Sequence, residues 1–389
     1  MSSQTLHLIG NAHIDPVWLW PWSEGLAEVM ATFRSALDRM DEFPEFTFTA
    51  SSAAFYEWVE QVDPLLFAEI QRRVAQGRWR LAGGWWIEPD CNIPGGESFV
   101  RQALYGQRYF QSRFGQTART GYCPDSFGHN GMLPQILKKS GLDFYVFMRP
   151  MPHEMALPGR VFWWQAPDGS RVLTCRLPIQ YGTWSEGIEE HLRRCAGEIQ
   201  PPLDELPCFY GVGNHGGGPT IANLNELLRL RAEPGLPELV FSSLEAFFEN
   251  VAGKSLPVVT GDLQHHASGC YAAHSGIKRW VRESENALLG AEKLSALAFW
   301  QAGLPYPQDF ECAWKGLLFN QFHDILAGTS LEMAYTAARS QLGESLSIAA
   351  RARVYAMQAI AAQQNHHARR RCDPVRMHAQ VLGDADSHG

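Results

Sequence analysis

Residues 5–22 read TLHLIGNAHIDPVWLWPW, and the rest of the chain is organised around this stretch. TLHLIGN alternates large apolar residues with smaller or polar ones and stops at His13-Ile14-Asp15-Pro16, as a buried strand does when it reaches its own end. His13 and Asp15 stand two residues apart, so an extended chain turns both side chains to one face, and Pro16 biases Asp15 away from the helical region. An imidazole and a carboxylate pointing the same way at a strand end make half of a metal site. Taken alone, the pair reads more simply as a strand ending in a polar turn.

Outward from this strand the pattern alternates. Leu26, Val29, Met30, Phe33 and Leu37 lie at helical spacing and predict a helix over 24–41. FTFTAS (46–51) reads as a strand, with Ser51 or Ser52 placed to cap AAFYEWVEQV, and Pro64 interrupts before LLFAEIQRRVAQ resumes the helix. The strand RWRLAG follows, then a helix over 97–114, the strand TARTGYC, the helix MLPQILKKSG and the strand FYVFM. VFWWQAPDGSRVLTCRL (161–177) breaks the rhythm with two β-rich runs around Pro-Asp-Gly-Ser, a hairpin signal. The alternation resumes with a helix near 185–198, the strand CFYGVG, the turn NHGGGPT, the helix ANLNELLRL, the strand ELVFSS and the helix LEAFFENV. Strand–helix alternation implies a parallel sheet with helical crossovers, either a barrel or a doubly wound sheet, so the fold class is α/β. From about Ser275 strand signals vanish, and helices at roughly 276–303, 308–327 and 331–363 with short connections predict an antiparallel helical bundle. The division expected is 1–262 for the α/β domain, 263–363 for the bundle and 364–389 for a disordered or aberrant tail, Arg-rich and without apolar periodicity.

Composition narrows the class. With 389 residues, 45% of them hydrophobic and 19% charged, the chain can bury a sizeable core. A net charge of -8 leaves no basic footprint for nucleic acid or anionic lipid, and no apolar run is long enough for a membrane span. The eight cysteines are scattered without C-x-x-C spacing, which points away from a disulfide framework or a thiolate zinc site and toward the cytoplasm. No signal peptide is read at the N-terminus. Oligomeric state is not legible.

Two further pieces complete a candidate site. Asp125, in GYCPDSFGHNG, follows the strand TARTGYC at the edge where α/β proteins bind ligands; Asn130 and Gly131 are better placed than Asp125 to cap the next helix. His323, in LLFNQFHDILAGTS, sits late in the second expected bundle helix beside Asp324; alone it would read as a satisfied core histidine. Two histidines and two aspartates make a four-ligand set for zinc or a related divalent ion. With His323 as a ligand, the ion would bridge the α/β domain and the bundle.

AHIDPVWLW, GGWWIEPDCNIPGGESFVRQ, YCPDSFGHNGMLPQILKKSG and NQFHDILAGTS resemble, in this order, the motifs of glycoside hydrolase family 38, the zinc-dependent α-mannosidases. The resemblance runs from about residue 5 to about residue 330. It implies a seven-stranded β/α barrel followed by a helical domain, one Zn2+ per chain, an α-mannoside or mannose-containing oligosaccharide as substrate, and hydrolysis with retention. Carried over residue by residue, it places His13, Asp15, Asp125 and His323 on the zinc ligands and Asp125 on the nucleophile. It also places Trp18 on the aromatic under the sugar ring and Asp324 on an acid that binds sugar hydroxyls.

The sequence departs from the family at three places. Where many relatives carry an aspartate as general acid, this chain has Gly213-Asn214-His215-Gly216; Asn cannot deliver a proton, so His215 becomes the acid candidate. GDLQHHASGCYAAHSG stands where His-Arg-Gly-Thr-Tyr is expected, and His265, His266 and Tyr271 are candidates for the leaving-group side or for packing between domains. Family members usually continue into large β-sandwich domains, so the alternative to an active exo-acting α-mannosidase is a truncated, catalytically impaired remnant that binds metal and sugar.

Overall fold

Among the described residues, eight of ten short strands are mostly buried, as parallel strands covered by helices require, while Glu238–Phe241 and Val258–Thr260 are more exposed. The computed structural model describes residues 4–183 and 187–371. The strands are β1 (Thr5–Asn11), β2 (Phe48–Ala50), β3 (Trp79–Leu81), β4 (Thr120–Cys123), β5 (Phe144–Phe147), β6 (Val161–Gln165), β7 (Arg171–Arg176), β8 (Glu205–Tyr210), β9 (Glu238–Phe241) and β10 (Val258–Thr260). Between them run α1 (Trp22–Glu42), α2 (Ala53–Val62), α3 (Pro64–Ala75), α4 (Gly96–Phe114), α5 (Leu133–Lys139), α6 (Ile188–Gly197), α7 (Ile221–Leu230) and α8 (Leu244–Val251). The rest of the described chain is helical: α9 (Ser275–Ala302), α10 (Phe310–Phe319), α11 (His323–Ala327) and α12 (Glu332–Arg371), after a short 3-10 turn at Ser268–Tyr271.

One sheet runs β3-β2-β1-β8, with β9 also paired to β1; the other runs β10-β6-β7-β5-β4. Every pairing is parallel except β6 with β7, the hairpin expected at 161–177. Its turn is held by Asp168, whose Oδ1 accepts from the Ser170 backbone N–H at 3.0 Å. Two backbone hydrogen bonds link the sheets, Gly83 N–H to Thr120 O and Thr183 N–H to Gly211 O, both 2.8 Å. Gly211, at φ +125, has no room for a side chain: an added Cβ would stand 2.2 Å from Asn11 O.

The chain divides into two compact units, residues 1–279 with 318–338, and residues 280–317 with 339 onward. In the second unit, Ser345 Oγ on α12 donates to Ala313 O on α10 at 2.9 Å, and Trp314 Nε1 on α10 donates to Glu292 Oε1 on α9 at 3.1 Å. Phe299 and Trp300 stand exposed.

Three expectations are corrected. Ser52 occupies the N-cap of α2 without a side-chain capping bond; the Ala53 and Ala54 N–H groups go instead to the Trp85 and Trp86 carbonyls. The helix expected over 308–327 is two helices, α10 and α11, because Phe322 is extended at φ -48, ψ 140. Its neighbours there make backbone bonds to residues 88–90: Asp90 N–H donates to Gln321 O at 2.8 Å and His323 N–H to Glu88 O at 3.3 Å. That pairing puts His323 in the same compact unit as the strands. α12 runs on to Arg371, into the stretch expected to be an unstructured tail; residues 372–389 of that tail lie outside the described residues. No described helix is long and apolar enough to cross a membrane, and the seven described cysteines are free.

Candidate active site and metal centre

The parallel strands of the first unit end at one edge, and the polar groups gather there. β1 leads to His13 and Asp15, β3 to Glu88, β4 to Asp125, β5 to Arg149, β7 to Tyr181 and β8 to Asn214. This is the edge at which helix–strand crossovers leave loops free to carry ligands. Asp15 is locked to β8's loop as well, its N–H donating to Asn214 O at 2.8 Å.

His13, Asp15 and His323 are all buried and bring one ligand atom each to within 4.8 Å of one another. Glu88 orients both rings. Its carboxylate Oε2 lies 3.1 Å from His13 Nδ1, and its backbone carbonyl lies 3.2 Å from His323 Nδ1. Each Nδ1–H is thereby claimed, and each Nε2 lone pair is left to face the centre, as in metal-bound histidines held by an outer carboxylate or carbonyl. His13 Nε2 stands 2.8 Å from Asp15 Oδ1 and 3.8 Å from Asp125 Oδ2. His323 Nε2 stands 3.5 Å from Asp15 Oδ1, without hydrogen-bond geometry, and is a buried nitrogen with no hydrogen-bond partner among the described residues. The two rings are stacked with centroids 5.5 Å apart.

The electrostatics ask for a cation. Burial disfavours a charged His13, yet Glu88 and Asp15 hold its pKa well above the ordinary histidine value. For Asp15, burial acts upward but is outweighed by His13, then His323, and the pKa falls to about 2. For His323, burial acts downward and Asp15 and Glu88 carry it up to about 9. Carboxylates of Asp15, Asp125 and Glu88 thus surround two imidazoles, a setting that a divalent ion would complete. Metal–nitrogen and metal–carboxylate bonds of about 2.0–2.2 Å place tetrahedral ligand atoms roughly 3–4 Å apart. The spacings of 3.5 Å from His323 to Asp15 and 3.8 Å from His13 to Asp125 fit such an ion, whereas the 2.8 Å between His13 and Asp15 is a hydrogen-bond distance that would have to open slightly.

The sequence profile described as glycosyl hydrolases family 38 N-terminal domain matches residues 3–269, and that of the alpha mannosidase middle domain matches residues 265–360. The chain belongs to glycosyl hydrolase family 38. It is 35% identical over 340 residues to alpha-mannosidase 2C1 of Homo sapiens, an alignment covering 85% of this chain and 33% of the relative. Against the alpha-mannosidase of Saccharomyces cerevisiae identity is 31% over 350 residues, covering 84% and 32%. The chain therefore spans about a third of the length of these curated relatives. Its fold is similar to the crystal structure of an alpha-mannosidase from Enterococcus faecalis V583, with TM-score 0.82, 22% identity, and coverage of 92% of this chain and 43% of that one.

Within this family 38 chain, Asp125 is held by groups that the sequence reading did not name. Arg149 Nε donates to its Oδ1 at 2.5 Å, Tyr181 Oη lies 3.3 Å from its Oδ2, and its N–H donates to Glu88 Oε1 at 3.0 Å. Tyr181 also donates to Asn214 Oδ1. Asp324 is buried beside His323, its Oδ2 3.8 Å from Nε2, and accepts from Thr329 Oγ1 at 2.6 Å. Burial, partly offset by His323, raises its pKa to about 7. Trp18 is half-buried, its ring 5.8 Å from that of Trp20, and its carbonyl accepts from Leu331 N–H at 2.9 Å.

The remaining candidates lie further out. His215 is half exposed, with Nε2 2.7 Å from Glu24 Oε1, Nδ1 3.7 Å from Glu28 Oε1 and its ring 4.4 Å from Trp20. None of these partners is a ligand candidate. His266 joins the site indirectly: its Nε2 accepts from Arg149 Nη1 at 3.1 Å, and its ring lies 5.6 Å from Phe127, which in turn lies 5.8 Å from His323. Tyr271 Oη accepts from Asn92 Nδ2 at 2.6 Å, away from the carboxylates, and His265 follows Gln264, which donates to Asn92 Oδ1 at 2.6 Å. A second buried ligand group, His191, Cys195 and Cys208, sits between α6 and β8, where His191 Nε2 already donates to Phe209 O at 2.9 Å.

Proposed function

We propose that the chain is the catalytic part of a retaining exo-acting α-mannosidase, with Asp125 as nucleophile and His13, Asp15, Asp125 and His323 as ligands of one zinc ion. The observation that carries this is the convergence of both imidazole Nε2 atoms on Asp15 beside Asp125, with Glu88 holding each Nδ1. When bound, zinc would supply a Lewis acid for the neighbouring hydroxyls of a mannose ring. Asp125 attacks the anomeric carbon as the glycosidic C–O bond breaks, and the aglycone leaves as an alcohol with the general acid's proton. Water, giving its proton back to that group, then cleaves the glycosyl ester with restoration of configuration. Arg149 and Tyr181 orient the carboxylate. Trp18 offers a face for the sugar ring, and Asp324 a carboxyl for its hydroxyls.

His215 remains the acid candidate, supported by its place next to Asn214 in the loop tied to Asp15. Its removal should slow an alkyl mannoside more than a nitrophenyl one, by about 10^2-fold or more, because only the poor leaving group needs the proton; equal slowing contradicts the role. His266 reaches the leaving-group side through Arg149, whereas His265 and Tyr271 belong with the supporting loop. On this reading β8-β1-β2-β3 and β4-β5-β7 are one seven-stranded β/α barrel, a closure supported by the Gly83–Thr120 and Thr183–Gly211 bonds. Within residues 280–317 and 339 onward, α9, α10 and α12 form the antiparallel bundle.

The deciding assay is hydrolysis of an aryl α-mannoside with and without chelator. Chelator-sensitive turnover that Asp125→Ala reduces by about 10^4-fold or more supports the proposal. Zinc binding without turnover supports the impaired remnant instead.

A further inference from the structure

Past Arg149 the ligand-bearing edge opens into a groove that the reaction above does not use. A small cavity of about 200 Å³ beside Tyr181 and Asn214 shares Met148, Arg149 and Gln180 with a second of about 370 Å³. The second in turn shares Pro152, Arg160 and Glu198 with a third of about 390 Å³. The groove therefore begins at the groups that touch Asp125 and leads away from the ligand cluster.

Its charge is unbalanced. Among the described residues, four guanidiniums line the second and third cavities, Arg149, Arg160, Arg176 and Arg194, against one carboxylate, Glu198. Arg149 is engaged with Asp125, and Glu198 with Arg160, whose Nε and Nη2 both stand 2.8 Å from Glu198 Oε2. That leaves Arg176, at the end of β7, without an ion pair of its own among the described residues, with Glu198 acting on it only through space. Only 4% of the residue is exposed. Among the described residues its one acceptor is the Met155 carbonyl, 2.7 Å from Nη1, and Nε is buried with no partner. Burial, and then the neighbouring Arg160 charge, pull its pKa down to about 10. A buried guanidinium left unpaired is costly, so the fold tolerates here an arrangement that an anion would relieve. Apolar lining from Leu157, Pro201 and Pro257 leaves room for a carbon skeleton beside the charge.

We propose that this groove is an oxyanion subsite on the leaving-group side, built by Arg176 and Arg160, and that the substrates of this chain are mannosides whose aglycone carries a carboxylate or a phosphate. The substrate part of this rests on the mannosidase reading above: with the terminal sugar at the ligand cluster, only the aglycone is left to extend along the groove. A planar fork of N–H donors suits either anion.

Two measurements keep the site and the reaction apart. Inorganic phosphate and benzoate are titrated calorimetrically into the wild-type chain, Arg176→Gln and Arg160→Gln, with Arg194→Gln at the exposed mouth as the variant that serves should buried Arg176→Gln fail to fold. In parallel, kcat/KM is compared for a 4-carboxyphenyl α-mannoside and its methyl ester. The expected result is anion binding weakened about tenfold or more in the variants, the tighter anion naming the source, and a preference for the free carboxylate of about tenfold that falls with them. Anion binding that depends on these arginines in a chain that hydrolyses neither mannoside sustains the site and removes the mannosidase reading. Hydrolysis without preference for the carboxylate overturns the aglycone assignment, and anion binding that the variants leave unchanged overturns the site.

Discussion

The strand ends and the α10–α11 break deliver the same kind of proposed ligand by opposite means. His13 and Asp15 reach the centre because β1 ends and a two-residue period turns both side chains the same way. His323 reaches it only because a helix stops: residues 320–322 leave the helical path to pair with residues 88–90, and α11 restarts with His323 at its first position. One ligand pair is placed by local geometry, the other ligand by backbone bonds to a segment more than two hundred residues away. Glu88 connects the two, since its carboxylate holds His13 and its carbonyl holds His323.

The largest effects should come from the ligands themselves. His13→Ala and His323→Ala should each weaken zinc retention by more than about a hundredfold in competition with a chelator, despite their different origins. A much smaller loss for His323→Ala would break the equivalence of the two routes. Glu88→Gln separates them. It keeps the carbonyl that anchors His323 and changes the carboxylate that holds His13 and accepts from the Asp125 N–H, so zinc affinity should fall by about 10–100-fold while the fold of α11 persists. Loss of helical signal or of compactness in this variant would mean that Glu88 serves the backbone pairing and not the ring.

The smallest effect belongs to the far end of the strands. Asp143, just before β5, accepts from Lys138 at 2.5 Å and from Arg119 at 3.2 Å. Burial acts to raise its pKa, but Lys138 and Arg119 hold it below the ordinary carboxylate value of 3.8. A carboxylate whose folded pKa is depressed contributes stability above its unfolded pKa and loses it as pH falls through the folded one. Asp143→Asn should therefore cost a few tenths of a kcal/mol near pH 7, given the exposure of the pair, and progressively less as pH falls below the ordinary carboxylate value. Thermal unfolding across pH measures this; zinc affinity should not move.

What the sequence made legible follows the same division. The β/α order, the hairpin at 161–177 and the placement of His13, Asp15 and Asp125 at strand ends all depend on local period and turn chemistry, and they were readable. The break before His323 was not, because LLFNQFHDILA is continuous at helical spacing and the competing bonds come from Glu88 and Asp90. Glu88 itself lay in view within WWIEPD, but nothing local marks which carboxylate will meet an imidazole. Arg149 and Tyr181 follow β5 and β7, and the strand-end rule that singled out Asp125 would have found them had it been applied to every strand. His215 shows the limit of reasoning by adjacency: it follows Asn214, which is tied to Asp15, yet its ring turns to Glu24 and Trp20.

X-ray absorption at the zinc edge of the zinc-loaded chain tests the central claim most directly, because the described residues offer two buried groups with different donor atoms. Coordination by His13, Asp15, Asp125 and His323 gives only nitrogen and oxygen neighbours, at about 2.0–2.2 Å, with the outer-shell scattering of two imidazoles. A sulfur shell near about 2.3 Å would put the ion at His191, Cys195 and Cys208 instead, and would contradict the account.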